Sequence, residues 1–331
     1  MSHKIVDFGQ SARARLLALA NRQGIQLEYV LLRYALERFL YRLGVSAYAD
    51  RFVLKGASAF AVWIGPFCRV TRDADLEAFG DMTPEALLDA FREICAIQCP
   101  ADGVEFDFAS FHTEEIKRED KYPGTRLTFG AGIGGAKVLL QFDIGVGDSV
   151  YPCAEFLDYP TLLTGERPHV RVYPRYTVVA EKFQVMVSRG LVNSRLKDYH
   201  DLWVLTERFD FDGKILQTAI EYTFARRMTI IPSTLPEGLD KTFYENPAKQ
   251  MQWNAFLRRA GVARLELPGG IREAYHRGEG KKPLLGFGKE SLEEKRQMNF
   301  ENLLAVAECD ACMAMFRKLG TPIPPEPVAR R

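Results

Sequence analysis

Apolar residues follow a helical period at the start of the chain and a strand-like alternation in its middle. Residues 12–21 and 27–43 carry apolar side chains three or four positions apart, which predicts two helices with Gly44 as the stop of the second. Thr83 followed by Pro84 predicts the start of a helix over 84–95. Residues 104–112 alternate between apolar and polar side chains, which is typical of a half-buried strand.

Four more strands are predicted, and one small-residue turn. The strands are expected at residues 51–56, 69–79, 126–130 and 137–146. The small-residue turn Gly56-Ala57-Ser58 is predicted to lead from the first of these into a helix over 57–64. The glycine-rich run at 130–135 is not followed by a helical pattern, so it predicts a hairpin turn rather than a phosphate-binding loop.

Helical patterns replace strand patterns from about residue 176 onward. This change predicts three parts. They are an α/β domain with N-terminal helices over 1–174, a helical domain over 175–320 and a Pro-rich tail over 321–331. The helices of the second part are expected at residues 177–188, 197–208, 213–224, 240–260 and 292–318.

Composition narrows the class of protein. The chain has 331 residues, of which 47% are hydrophobic and 26% are charged, as in ordinary globular proteins. A net charge of +1 excludes a chain that is basic throughout but allows a local basic patch. No apolar stretch is long enough to span a bilayer and no secretory segment begins the sequence, so a cytoplasmic protein with no membrane partner is expected. Its six cysteines, including Cys309 and Cys312, are interpreted as reduced.

A pair of acids provides the first candidate chemistry. On a strand, Asp73 and Asp75 share one face because side chains alternate with period two, while Ala74 and Leu76 face the core. Paired carboxylates of this kind suit a hard divalent cation such as Mg²⁺. The alternative is an exposed strand face that carries two acids and binds nothing.

A third acid lies on the predicted strand 137–146. Asp143 faces away from the apolar side of that strand and could join Asp73 and Asp75 if the two strands are neighbours. Three carboxylates with one or two metal ions are the arrangement of a phosphoryl or nucleotidyl transfer site. Alternatively, Asp143 is a strand-end acid that stabilises a turn.

A lysine on an apolar helix stripe is the third feature. Lys182 lies beside the stripe that contains Val179 and Met186, so its ammonium needs either a route to solvent or an anionic partner. That partner is either a triphosphate or the acids Asp198 and Asp201 of the next helix, in which case the pair locates one helix on the other.

Taken together, these segments resemble the AbiEii/AbiGii nucleotidyltransferase toxin family, within the polymerase-β-like nucleotidyltransferase superfamily. The resemblance covers roughly residues 50 to 205, and Ala57 departs from it where the family usually has a second glycine. The matching residues, in chain order, are Lys55-Gly56-Ala57-Ser58-Ala59-Phe60, Arg69, Thr71, Asp73, Asp75, Phe142-Asp143-Ile144, Ala180-Glu181-Lys182, Arg195, Lys197-Asp198 and Asp201-Leu202.

The resemblance implies an α+β fold: a mixed sheet with flanking helices, followed by an all-α C-terminal domain. It also implies a Mg²⁺-dependent enzyme, with Mn²⁺ as an alternative ion, that transfers a nucleotide from an NTP. Family members are the toxins of type IV toxin–antitoxin or abortive-infection systems. Some of them modify the 3′ end of tRNA, and their antitoxins, encoded nearby, act without a stable complex.

The resemblance also implies roles for individual residues. Gly56 and Ser58 are expected to bind the triphosphate, with Arg69 assisting and Arg72 steering the substrate. The metal ligands are expected to be Asp73, Asp75 and Asp143.

In the helical part, Lys182 is expected to neutralise charge on the β- and γ-phosphates, and Asp198 is expected to position Lys182.

Two other functions remain open: a nucleotidyltransferase that modifies a small molecule or protein, and a catalytically silent RNA-binding regulatory module. Intact Asp73 and Asp75 argue against the silent module.

Overall fold

The computed structural model describes residues 7–65, 72–80, 82–117 and 123–259. The chain divides into two compact units, Met1–Pro174 and Arg175–Arg331. Within the described part of the chain, no helix is long and apolar enough to cross a membrane. The expected helix at 292–318, the Pro-rich tail and Cys309 with Cys312 lie outside the described residues.

Four α-helices and seven strands form the described part of the first unit. Its helices are α1 (Phe8–Gln23), α2 (Leu27–Val45), α3 (Gly56–Ile64) and α4 (Pro84–Ala96). Its strands are β1 (Phe52–Lys55), β2 (Ala74–Ala78), β3 (Val104–Lys117), β4 (Pro123–Ile133), β5 (Ala136–Val146), β6 (Glu155–Asp158) and β7 (His169–Val172).

The seven strands form one mixed sheet in the order β3-β4-β5-β2-β1-β7-β6. β2 pairs with β5 and β1 with β7 in parallel, whereas the other four neighbouring pairs are antiparallel. This mixed sheet with flanking helices confirms the expected α+β fold. The predicted hairpin is also present, because Gly134 and Gly135 connect β4 to β5 with φ of +53° and +81°. Positive φ at both turn residues is what a tight two-residue hairpin requires.

An aromatic cluster fills the core between α2, α4 and the sheet. Phe39 of α2 lies 4.5 Å from the ring centroid of Phe142 on β5 and 5.0 Å from that of Phe91 on α4. Phe129 of β4 stacks on Phe142 at 5.7 Å. All four side chains are fully buried, so the apolar faces predicted from the sequence meet here.

Helix α2 also buries charged side chains. Glu37 is 1% exposed and accepts hydrogen bonds from Arg38 Nη2 and from the Leu162 backbone N–H, both at 2.7 Å. Burial raises the pKa of Glu37 to about 7 although Arg38 acts to lower it. Arg42, one turn further, forms a buried ion pair with Asp102 at 2.7 Å.

Gly44 is not the end of α2, which continues to Val45. A Cβ at position 44 would lie 2.3 Å from the carbonyl oxygen of His169 on β7. The glycine therefore serves a close approach of helix to strand rather than a helix stop.

At three glycines, the start of α1 lies very close to the backbone of other segments of the first unit. A Cβ on Gly9 would lie 2.9 Å from the backbone nitrogen of Gly134, and one on Gly103 would lie 2.7 Å from Gly9 Cα. Arg13 Nη1 adds a hydrogen bond of 3.1 Å to the Gly134 carbonyl. The first turn of α1 therefore lies against the β4–β5 turn.

Several boundaries differ from the sequence prediction. The helix predicted over 57–64 is α3, which begins one residue earlier, so Gly56-Ala57-Ser58 is its first turn and follows β1 directly. β2 begins at Ala74, so Asp73 lies in a bend just before it. The short strands β6 and β7 were not expected.

The described part of the second unit contains five α-helices and no β-strand. They are α5 (Arg175–Arg189), α6 (Leu196–Arg208), α7 (Gly213–Arg226), α8 (Lys241–Tyr244) and α9 (Pro247–Arg259). The single helix expected over 240–260 is two helices, because Pro247 starts α9 and the Asn246 side chain accepts the Ala248 N–H at 2.9 Å.

Candidate active site

The two acids of the first motif lie at the beginning of β2. Asp75 is the second residue of the strand and Asp73 precedes it by two positions. Both side chains are half-buried, whereas Ala74 and Leu76 are fully buried. The alternation inferred from the sequence is therefore confirmed for the core-facing residues.

Asp143 lies directly beside Asp75. β2 and β5 are parallel neighbours, and Asp75 pairs with Asp143 in their register. Adjacent strands lie about 4.8 Å apart, so the two carboxylates leave the sheet side by side. The structure thus brings together two of the three expected metal ligands on neighbouring strands.

Arg126, which the sequence motifs did not indicate, holds Asp143. Its Nε donates to Asp143 Oδ1 at 2.8 Å and its Nη2 donates to Oδ2 at 2.9 Å. Glu114 accepts a third hydrogen bond from the same guanidinium at 3.3 Å. Asp143, as the largest influence, raises the pKa of Arg126 further above its ordinary value. Asp143 is therefore an ion-pair partner as well as a candidate metal ligand.

A buried ion cluster lies on the other side of Asp75. Lys55, at the end of β1, forms ion pairs with Glu77 and, at 3.0 Å, with Asp148. Glu77 is 0% exposed and also accepts the Asp148 backbone N–H at 2.7 Å. This cluster fixes the segment after β5 to β2, next to the candidate site.

Together these residues form a row of charges across five adjacent strands. The register pairs Glu114 with Arg126, Arg126 with Asp143, Asp143 with Asp75, and Asp75 with Lys55. Two carboxylates in the middle of the row are therefore flanked by a cation on each side. Such flanking lowers the Coulomb cost of placing two negative charges on neighbouring strands.

Gly56 allows the Asp75 carboxylate to lie against the backbone at the start of α3. It has a φ of +62°, and a Cβ at this position would lie 1.9 Å from Asp75 Oδ2. Only glycine fits both restrictions. The first backbone N–H groups of a helix lack intrahelical acceptors, which makes this end of α3 suited to an anion.

Ser58 lies in the same first turn of α3. This residue is 0% exposed, and its hydroxyl has no hydrogen-bond partner among the described residues. Arg69 lies outside the described residues. Arg72 is described and its side chain is exposed, one position before Asp73.

In the second unit, Lys182 joins α5 to α6. Its ammonium donates to Asp198 Oδ1 at 2.7 Å and to Asp201 Oδ2 at 2.8 Å. Arg195 Nε donates to the other oxygen of Asp198 at 2.7 Å. Burial alone would raise the pKa of Asp198, but the charges of Lys182 and Arg195 outweigh it and hold that pKa below its usual value. The ion-pair interpretation of Lys182 therefore has direct geometric support.

The oxygen donors suit a hard divalent cation in their chemistry. Carboxylates are the ligands that Mg²⁺ prefers, and Asp75 lies next to Asp143 with Asp73 close in sequence. As arranged, the described residues contain no group of three or more His, Cys, Asp and Glu side chains that could hold a metal ion. Both oxygens of Asp143 face a guanidinium instead.

Known proteins provide an independent comparison. Two solved structures from Helicobacter pylori show low similarity to this chain. A candidate nucleotidyltransferase is 14% identical with a TM-score of 0.46, covering 88% of this chain and 98% of that one. JHP933 is 13% identical with a TM-score of 0.39, covering 76% and 97%. No curated protein matches the sequence.

A family model matches residues 38–274, which is well over half of the chain. Its description is nucleotidyl transferase AbiEii toxin of a type IV toxin–antitoxin system. The matched region contains Gly56, Asp75, Asp143 and Lys182, and the strands that carry the row of charges. The chain therefore belongs to the AbiEii family of nucleotidyltransferase toxins.

Proposed function

We propose that this nucleotidyltransferase transfers a nucleotide from an NTP to the 3′ end of a tRNA. The observation that carries the transfer chemistry is the register pair of Asp75 with Asp143, with Asp75 against the first turn of α3. This arrangement combines acidic ligands with backbone N–H donors, which is the pairing that a metal-bound triphosphate needs. The tRNA acceptor is supported by the family resemblance alone.

Asp73, Asp75 and Asp143 would hold Mg²⁺, or Mn²⁺ in its place. A bound ion would stabilise negative charge on the phosphoryl oxygens during transfer. The first turn of α3, with Gly56 and the buried hydroxyl of Ser58, would bind the triphosphate. Arg69 and Arg72 would steer the anionic substrate, since arginines attract phosphates over a distance, and Arg72 is exposed.

The proposed role of the helical unit rests on Lys182. Its ammonium would counter the charge that develops on the β- and γ-phosphates as pyrophosphate leaves. Asp198 and Asp201 hold this ammonium in one orientation through hydrogen bonds of 2.7 and 2.8 Å. Asp198 is thus proposed as a positioning residue for Lys182.

The biological setting follows from the family. We propose that the protein acts in the cytoplasm, that it blocks translation or phage growth, and that an antitoxin encoded nearby counters it without a stable complex. The antitoxin belongs to the proposal because a type IV system pairs each toxin with one.

One experiment tests both the reaction and the acceptor. Purified protein is incubated with each labelled NTP, Mg²⁺ and total tRNA, and separately with total protein and small-molecule extracts. Label on tRNA that is lost after removal of its 3′ nucleotide supports the proposal. Label on protein or on a small molecule contradicts the tRNA acceptor, and no transfer with any NTP contradicts the proposed reaction. The Asp75→Asn variant serves as the inactive control.

A further inference from the structure

Arg126 is placed to control the availability of Asp143. The guanidinium binds both carboxylate oxygens, at 2.8 and 2.9 Å, in the two-bond geometry that arginine forms best with a carboxylate. Its own side chain is 32% exposed, while that of Asp143 is 14% exposed. A solvent-borne group can therefore reach the arginine at the same face of the sheet.

The direction of this bond matters because of the strand order. β5 lies between β4 and β2, so Arg126 draws the Asp143 carboxylate toward β4. Asp75, the neighbouring carboxylate, lies on the opposite side, on β2. A cation shared by Asp75 and Asp143 would thus compete with Arg126 for the Asp143 carboxylate.

A nucleoside triphosphate is chemically suited to release that carboxylate. Guanidinium groups bind phosphate oxygens in the same two-bond geometry as carboxylates. Arg126 can therefore exchange Asp143 for a phosphate group without losing an anionic partner. Glu114, half-exposed and 3.3 Å from Nη1, keeps the guanidinium at the face of the sheet during such an exchange.

We propose that Arg126 is a positioning residue that holds Asp143 away from the divalent cation until a triphosphate takes its place on the guanidinium. This inference rests on the proposed function, because it assumes that Asp143 is a cation ligand. It makes cation and nucleotide binding mutually reinforcing, since each favours the state in which the Arg126–Asp143 bond is open. The same bond offsets the negative charge of Asp143 in the row of charges when no substrate is bound.

The test measures Mn²⁺ affinity by electron paramagnetic resonance, with and without a non-hydrolysable NTP analogue. Without nucleotide, Arg126→Gln is expected to bind Mn²⁺ about tenfold more tightly than wild type. With the analogue, both proteins are expected to gain affinity because the triphosphate shares the ion, but wild type is expected to gain about tenfold more than Arg126→Gln, since only wild type has an Arg126–Asp143 bond to open. The double variant Arg126→Gln/Asp143→Asn is expected to lose the gain that the single change produces.

Arg171→Gln, on β7, is the matched control, because it removes an arginine from the same sheet outside the row of charges. Its Mn²⁺ affinity is expected to equal that of wild type. If Arg126→Gln does not fold, Arg126→Lys retains a cation but cannot form the two-bond geometry, and it is expected to shift Mn²⁺ affinity in the same direction.

The outcomes separate this inference from the proposed function. Nucleotide transfer by wild type, together with a Mn²⁺ affinity of folded Arg126→Gln or Arg126→Lys within about twofold of wild type, overturns the role of Arg126 alone. Absence of Mn²⁺ binding in every variant, with and without nucleotide, overturns both this inference and the metal assignment.

Discussion

Asp75 and Asp143 are register partners on parallel neighbouring strands, so two carboxylates lie side by side at one face of the sheet. Two such charges repel each other unless cations offset them. Lys55 continues the row on one side and Arg126 on the other. The row therefore holds two neighbouring carboxylates between two cations.

Asp75→Asn is expected to abolish transfer and to relieve the growth defect that the toxin causes in a bacterial host. The change keeps the size of the side chain but removes the charge that binds a cation. Transfer rate, colony growth and circular dichroism are the measurements. Glu155→Gln, an exposed acid on β6, is the control and should leave toxicity unchanged. A folded Asp75→Asn variant that remains fully toxic would contradict the metal assignment.

Gly56→Ala is expected to reduce transfer strongly, because its Cβ would lie 1.9 Å from Asp75 Oδ2 and displace that carboxylate. Gly24→Ala is a matched control: Gly24 has a φ of +64°, and a Cβ there meets nothing within 4 Å. Both changes should cost about 1–2 kcal/mol of stability through backbone strain. Equal transfer rates in the two variants would show that the position of Asp75 does not depend on Gly56.

Lys182→Met is expected to lower the free energy of unfolding by about 3–5 kcal/mol, because two buried carboxylates lose their shared cation. The stability that the lowered Asp198 pKa provides is present at neutral pH and is lost as the pH falls through the carboxylate range. Denaturant unfolding at pH 7 measures the effect, with exposed Lys214→Met as the control. An unchanged free energy of unfolding together with a large loss of transfer would place Lys182 in catalysis alone.

Glu37 is expected to make the protein less stable as the pH rises. Its pKa is raised from 4.5 to about 7 in the folded protein, so its contribution is complete below pH 4.5 and is lost by about pH 7. Glu37→Gln should therefore gain up to about 3 kcal/mol relative to wild type between pH 5 and pH 8. Unfolding curves at both pH values test this, with exposed Glu28→Gln on the same helix as the control. A difference that does not change with pH would show that Glu37 is ionised at both values.

Sequence patterns predicted the long elements and the short strands β1 and β2, but they missed β6 and β7. The alternation of β5 is clear because Phe142 and Ile144 are fully buried on one face over an eleven-residue strand. β7 has only four residues, too few for a period to be recognised, and its pairing with β1 is a long-range contact. The break between α8 and α9 could have been predicted from the sequence, because Pro247 is tolerated in the first turn of a helix but not in its interior.

Asp75 and Asp143 could be assigned to one face of their strands from the sequence because strand side chains alternate with period two, whereas Asp73 lies in a bend before β2. The ion-pair partners of the acids could not be predicted from the sequence. Arg126 reaches Asp143, and Lys55 reaches Glu77, only because of the strand order and register, which are decided by tertiary packing. Glu77 did carry one signal, since it is two positions after Asp75 and shares its face.

The glycine contacts of α1 connect the start of the chain to a turn that lies far along the sequence. Its first turn rests on the β4–β5 turn, and Arg13 bonds a carbonyl 121 positions away in the chain. Those contacts require the hairpin to be present. We therefore expect the first turn of α1 to complete its contacts only after β4 and β5 have paired, and hydrogen exchange of its amide groups would measure this.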